Sequence, residues 1–267
     1  DYIASRRYSL DIGAQVAHGA LRYYVMGERG KENLDATNED LNEMSRLVTQ
    51  ALTAGAVGFS TSRTIGHRAL DGSPVPGTFA PDQELSAIAE AMRKAGRGVF
   101  EMIPAGTVGK LEGLGGERTT PEAELTLMAD FSRQSGRKVT FTLVQSPDYA
   151  PDTWERLLEM VVTANQTGAQ LFPQVPSRPI GLASGLSGYH AFQRRPTYMK
   201  LTHLSLAERA REMAKPEVKA AIMSEGDVPV DQPGSMANMY QLFQNAAGFM
   251  YPLADPVDYE PDPSNML

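Results

Sequence analysis

The chain has 267 residues, 42% hydrophobic and 21% charged, and its 25 Lys+Arg against 32 Asp+Glu leave a net charge of −7; this is the composition of a soluble globular protein of one large or two small domains. A pI near 5.2, with no run of Lys or Arg longer than a pair, argues against nucleic acid as a partner, because neutralising phosphates needs a basic stripe. The absence of cysteine removes disulfides, thiolate nucleophiles and Cys-based zinc sites and agrees with a cytoplasmic setting, while no window approaches the roughly 20 apolar residues of a membrane span.

In chain order, short apolar runs alternate with longer amphipathic ones. LDIGAQV (residues 10–16) predicts a first strand, followed by a polar segment. Thr37 with Asp40 three residues on is a capping box, opening a helix that carries Leu41, Met44, Leu47, Val48, Ala51 and Leu52 on one stripe and closes at Gly55. AVGFSTS (56–62) predicts the second strand. After the loop DGSPVPGTFA comes a helix from Pro81, with Leu85, Ile88, Ala89 and Met92 on one face and Gly96 at its end. GVFEMI (98–103), KVTFTLV (138–144) and AQLFPQV (169–175) predict three more strands, separated by helices that start near Thr120-Pro121 and Asp152. Three helices follow at 204–214, 217–225 and about 235–245, and the Pro- and Asp-rich end reads as an extended tail.

Strand-helix-strand repetition means parallel strands joined by right-handed crossovers, either in a doubly wound sheet or in a β/α barrel. The doubly wound fold wants a glycine-rich phosphate turn after the first strand; Ala17-His18-Gly19-Ala20 stands there instead, and the near match Gly113–Gly116 follows no strand. The α/β reading is therefore a β/α barrel. A full barrel needs eight strands, and five are legible, which predicts a partial barrel cut from a longer chain.

Barrel enzymes place their chemistry at the carboxyl ends of the strands. Those ends are His18; Ser60, Thr61, Ser62 and Arg63; Glu101; Thr142 and Gln145; and Gln174, with Arg178 in the next loop. Glu101 is the most unusual, because a strand buried on both faces should be apolar. A carboxylate there binds a metal, acts as a general base, or forms an ion pair with a neighbour such as Arg63. His18 is either a substrate or metal contact or a hydrogen-bonded structural residue, and His67 sits in a loop that can face the mouth. His190 and His203 read as packing or surface residues. No two histidines have zinc-motif spacing, and no G-x-S-x-G elbow surrounds Ser60 to Ser62, which more plausibly bind substrate or backbone.

AQVAHGALRYYVMGERG (14–30), AGAVGFSTSRTIGHRALDGSPVPGTFA (54–80), GRGVFEMI, VTFTLVQ and PLADPVDYEPDP (252–263) together resemble the D-aminoacylase-like, N-acyl-D-amino-acid deacylase branch of the amidohydrolase superfamily. The resemblance implies a β/α barrel that hydrolyses carbon–nitrogen amide bonds of N-acyl amino acids or related linear amides by metal-activated water, with zinc or another divalent ion as cofactor. It makes 1–203 a barrel segment matching family strands three to seven, 204–250 a helical segment and 251–267 a tail. It implies a loop at 63–79 lining the substrate pocket, and Arg178, or else Arg63, gripping a substrate carboxylate. The family's His-x-His pair and late Asp lie outside this sequence, and its histidines at the strands matched by VFEMI and VTFTLVQ are replaced here. Glu101 is then the catalytic and metal-ligating candidate, with His18, Ser60, Thr61, Arg63, His67, Gln145, Gln174 and Arg178 binding substrate. The alternative is an amidohydrolase-like segment, catalytically incomplete, with only a binding or structural role. Exposed edges at 10–16 and 169–175 predict a homo-oligomer, aggregation, or cover by the helices after Leu204.

Overall fold

A computed structural model describes residues 5–69, 72–146, 148–177, 181, 183–230 and 236–252, with 256, 258, 262 and 264 beyond them. Contacts divide the chain into two compact units, 1–111 with 117–178, and 112–116 with 179–267; the boundary expected at residue 203 falls inside the second.

The first unit is built on five parallel strands, β1 (Gln15–Ala17), β2 (Gly58–Ser62), β3 (Val99–Ile103), β4 (Val139–Thr142) and β5 (Leu171–Gln174). They lie side by side in chain order, β1-β2-β3-β4-β5. A doubly wound sheet reverses its strand order at a switch point, and a barrel adds each strand beside the last. This order is the barrel's.

The intervening helices are α1 (His18–Met26), α2 (Glu28–Lys31), α3 (Asn38–Thr53), α4 (Asp82–Ala95), α5 (Pro121–Ser135) and α6 (Thr153–Gln166). The Thr37/Asp40 capping box is formed at the start of α3. α5 opens on Thr120, whose hydroxyl accepts from the Ala123 amide, with Pro121 in the first turn where its missing N–H costs nothing. α4 and α5 end on Gly96 and Gly136, both left-handed. Side chains alternate along the strands. Phe59, Phe100, Met102, Val139, Phe141 and Leu171 are buried in one core with Met44, Val48, Leu52, Leu85, Ile88, Met92, Leu125, Met128 and Leu157 of the helices. The opposite face carries Gln15, Ser60, Ser62, Glu101, Thr140, Thr142 and Gln174, half-buried or exposed.

Two expectations are corrected. The first strand is not 10–16: pairing covers only Gln15–Ala17 against Gly58–Ser60, although the Val57 amide still donates to the Ala14 carbonyl. Leu10 and Ile12 are exposed, Leu10 by 80%, so they gain nothing from burial. The polar segment after the first strand, read without an element of its own, holds a helix, α1, which starts at His18 itself.

The second unit holds short helices, α7 (Pro196–Met199), α8 (Leu206–Met213), α9 (Pro216–Ser224) and α10 (Met239–Asn245). α8 opens on a Ser205/Glu208 capping box, and His190 stands edge-on to Tyr198 at 4.5 Å between ring centroids, a packing role. No helix among the described residues is long and apolar enough to cross a membrane.

Candidate functional site

At the carboxyl ends of β1, β2 and β3 lies an open cleft of about 280 Å³, lined by His18, Ser60, Thr61, Ser62 and Glu101 and walled by Val75 and Pro76. Strand register brings these residues together, Ala17 pairing with Ser60 and Ser60 with Glu101. Gln15, two residues toward the amino end of β1 from Ala17, donates from Nε2 to Glu101 Oε2 at 2.8 Å. The Glu101 carboxylate is thus oriented by a neutral amide, while its face of the sheet is left half-open.

Behind this cleft is a closed cluster. His18 is 1% exposed and Glu84, on the first turn of α4, 0%. His18 Nε2 lies 2.7 Å from Glu84 Oε1 and Nδ1 lies 2.8 Å from Thr61 Oγ1. A carboxylate only accepts, so Nε2 carries the proton, and Nδ1 accepts from the Thr61 hydroxyl in the neutral ring. Burial pushes the His18 pKa below the usual 6.5, against the opposing pull of Glu84. Arg22 of α1 donates through Nη1 to both Glu84 oxygens and through Nη2 to the Leu34 carbonyl. Burial raises the Glu84 pKa, but His18 and Arg22 outweigh it and hold the carboxyl below its ordinary range.

The same device recurs one strand on. Glu124, in the first turn of α5 and 1% exposed, accepts from Arg63 Nε with both oxygens at 2.9–3.0 Å, and Arg63 Nη1 donates to the Ala80 carbonyl. In each brace a first-turn carboxylate reaches back past the strand that leads into its helix to a basic side chain following the strand before it. Arg63 therefore pairs with Glu124, not with Glu101 as the ion-pair expectation had it. The loop over the cleft is fixed from α2's side: Asn33, at φ 57°, donates to the carbonyls of Pro74 and Val75 and accepts from the Gly77 amide. Gly77 has φ +95°, and a Cβ there would stand 2.7 Å from His18 Nδ1, so only glycine lets the loop lie on that ring.

Of the other sequence-derived residues, His67 is exposed, with Nδ1 2.8 Å from Ser62 Oγ. Gln145 is exposed beside a separate, mostly apolar cavity between β4, α5 and α6, and Gln174 is exposed at the end of β5; neither lines the cleft. Arg178 lies outside the described residues. Sequence reasoning missed Gln15, Asn33, Glu84 and Glu124.

No family model matches the chain, and no curated protein matches it in sequence. Among solved structures, the N-acyl-D-glutamate deacylase of Bordetella bronchiseptica, crystallised with zinc and a phosphonate mimic of the tetrahedral intermediate, matches 67% of this chain and 33% of its own, at 20% identity and a TM-score of 0.51. A D-aminoacylase described as defining a novel subset of amidohydrolases matches 62% and 30%, at 18% identity and a TM-score of 0.45. The fold is that of an arc of a β/α barrel, like the part of the deacylase that it matches. This arc spans about a third of the length of the deacylase that it matches.

The resemblance and the zinc in that deacylase raise the question of a divalent metal, and the described donors of the arc do not fit one. No group of three or more His, Cys, Asp or Glu among them is placed to hold an ion. Both His18 nitrogens are committed, and Glu101 is the only carboxylate among the described residues lining the cleft.

Proposed function

We propose that this arc forms the substrate-facing mouth of a hydrolase acting on the carbon–nitrogen bond of N-acyl amino acids or related small linear amides. The observation that carries the reading is the cleft itself: a concavity at the carboxyl ends of parallel strands, where β/α barrels bind substrate, lined by two serine hydroxyls and one carboxylate. The barrel likeness to a deacylase supports the reaction class. Ser60 and Glu101 contact the substrate; His18, with Thr61, Glu84 and Arg22, holds the ends of β1 and β2 in place behind them. No step is routed through a metal, because the described donors do not assemble a site for one.

The test is release of free amine from a panel of N-acetyl amino acids and amino-acid amides, comparing the wild-type protein with Glu101→Gln, with and without added zinc. The expected result is turnover whose kcat/KM drops by about a hundredfold or more in the variant. Turnover indifferent to Glu101 overturns the site. A second reading, binding without hydrolysis, is favoured by the lack of a metal-donor group among the described residues; saturable binding with no turnover under any condition supports it.

A further inference from the structure

Of the described carboxylates at this end of the sheet, Glu84, Glu124 and Glu117 are spent on the scaffold, Glu117 by the Thr64 hydroxyl and the Ile65 amide. Glu84 holds Arg22 and His18, and Glu124 holds Arg63. The guanidinium groups of the two braces are each matched by a carboxylate of their own, and none of the described residues lining the cleft is a cation. Glu101 faces that space with only the Gln15 amide on one oxygen, which orients the carboxylate without neutralising it. Ser60 pairs in register with Glu101 on the neighbouring strand and lines the same concavity, while Ser62 is held by His67. A cleft whose described lining carries one carboxylate and no cation, partly withdrawn from water, repels a carboxylate and attracts a cation.

We propose that Glu101 binds a protonated amine, so that the ligand is a small amide carrying a free ammonium group, its N–H donors on the Glu101 carboxylate and its carbonyl within reach of the Ser60 hydroxyl. The proposal rests on the reading of this cleft as the substrate mouth and names the substrate class. Within the amides covered by that reading, it selects the related small amides with a free amine over N-acyl amino acids, whose amine is acylated and whose carboxylate wants a cation. The volume of about 280 Å³ admits a ligand of amino-acid size.

The test is a titration of the 267-residue protein at pH 7 with glycinamide, N-acetylglycinamide and N-acetylglycine, following the backbone amide signals of Gln15, Ser60 and Glu101 by NMR. Glycinamide is expected to shift them saturably, and removing its charge by acetylation weakens binding at least tenfold without any change to the protein. Glu101→Gln weakens glycinamide by a similar factor, with its thermal midpoint as the folding control. Equal binding of glycinamide and N-acetylglycinamide, or glycinamide binding unchanged by Glu101→Gln, overturns the proposal. If N-acetylglycine shifts these signals and glycinamide does not, the amine preference falls and the substrate mouth stands. If none of the three shifts them, both fall.

Discussion

Glu84 and Glu101 stand on the same sheet end and have opposite surroundings. Glu84 is fully buried, with a guanidinium and an imidazole on its oxygens; Glu101 is half-buried, with one neutral donor and a cleft in front of it. A buried charge is tolerated only when paired and hydrogen-bonded, so Glu84 is bound into the scaffold and has no capacity left for a ligand. An uncompensated carboxylate is tolerable only beside water, and that is where Glu101 sits. Proximity to the strand ends therefore does not by itself identify a functional residue. The residue with spare hydrogen-bonding capacity does.

The comparison breaks most visibly under truncation. Glu84→Ala leaves Arg22 and His18 buried without their partner, a loss on the order of 3–5 kcal/mol, whereas Glu101→Ala removes a half-exposed group and changes stability by less than about 1 kcal/mol. Urea unfolding of the two variants checks this, and similar losses in both erase the distinction. Glu124→Ala falls between them, because Arg63 keeps 12% of its side chain exposed and retains the Ala80 carbonyl; about 2–3 kcal/mol is expected from the same unfolding series.

Asn33→Ala removes three hydrogen bonds to the cleft wall at about 1–2 kcal/mol. Hydrogen exchange at the Gly77 amide should accelerate while amides of β3 stay protected. Unchanged exchange at Gly77 would show that the loop is held by something other than Asn33.

The smallest effect is on pH dependence. His18 in the folded protein takes a proton less readily than its ordinary 6.5, so the unfolded chain binds more protons below that pH, and stability falls as pH drops from 6.5 toward the folded value. The slope is at most about 1.4 kcal/mol per pH unit for one proton. Glu84, held below its usual 4.5, loses its stabilisation as acidification continues past that value. His190 is lowered too, by burial and then by Arg209, and contributes with the same sign. Stability measured from pH 7 to 5 should therefore depend less steeply on pH in His18→Asn than in the wild type, without becoming flat. Parallel profiles would mean that His18 is protonated alike in both states.

Local signals made most of the arc legible in the sequence: the capping box of α3, the glycine ending α4, the Thr-Pro start of α5, and the apolar runs of β2 to β5. Glu101 stood out because it interrupts an apolar strand. α1 was hidden because two of the residues it buries are His18 and Arg22, so its inward stripe does not read as apolar. Glu84 and Glu124 were hidden for the opposite reason. A first-turn glutamate is what any helix start favours, and nothing local distinguishes one that reaches a guanidinium some 60 residues away in sequence. Asn33 was missed because its partners lie in a loop more than 40 residues away. β1 was drawn too long because apolar alternation marks where a strand can form, and only pairing with β2 marks where it does.

The most direct test of the account is the state of the His18 ring, followed through long-range nitrogen–proton NMR of the imidazole from pH 8 to 5, with and without stoichiometric zinc. A closed brace predicts a neutral ring protonated on Nε2, unchanged through pH 6.5 and unmoved by zinc. Protonation near 6.5, or a zinc-dependent shift of either nitrogen, would show that His18 belongs to the working site and that the division between scaffold and cleft is drawn in the wrong place.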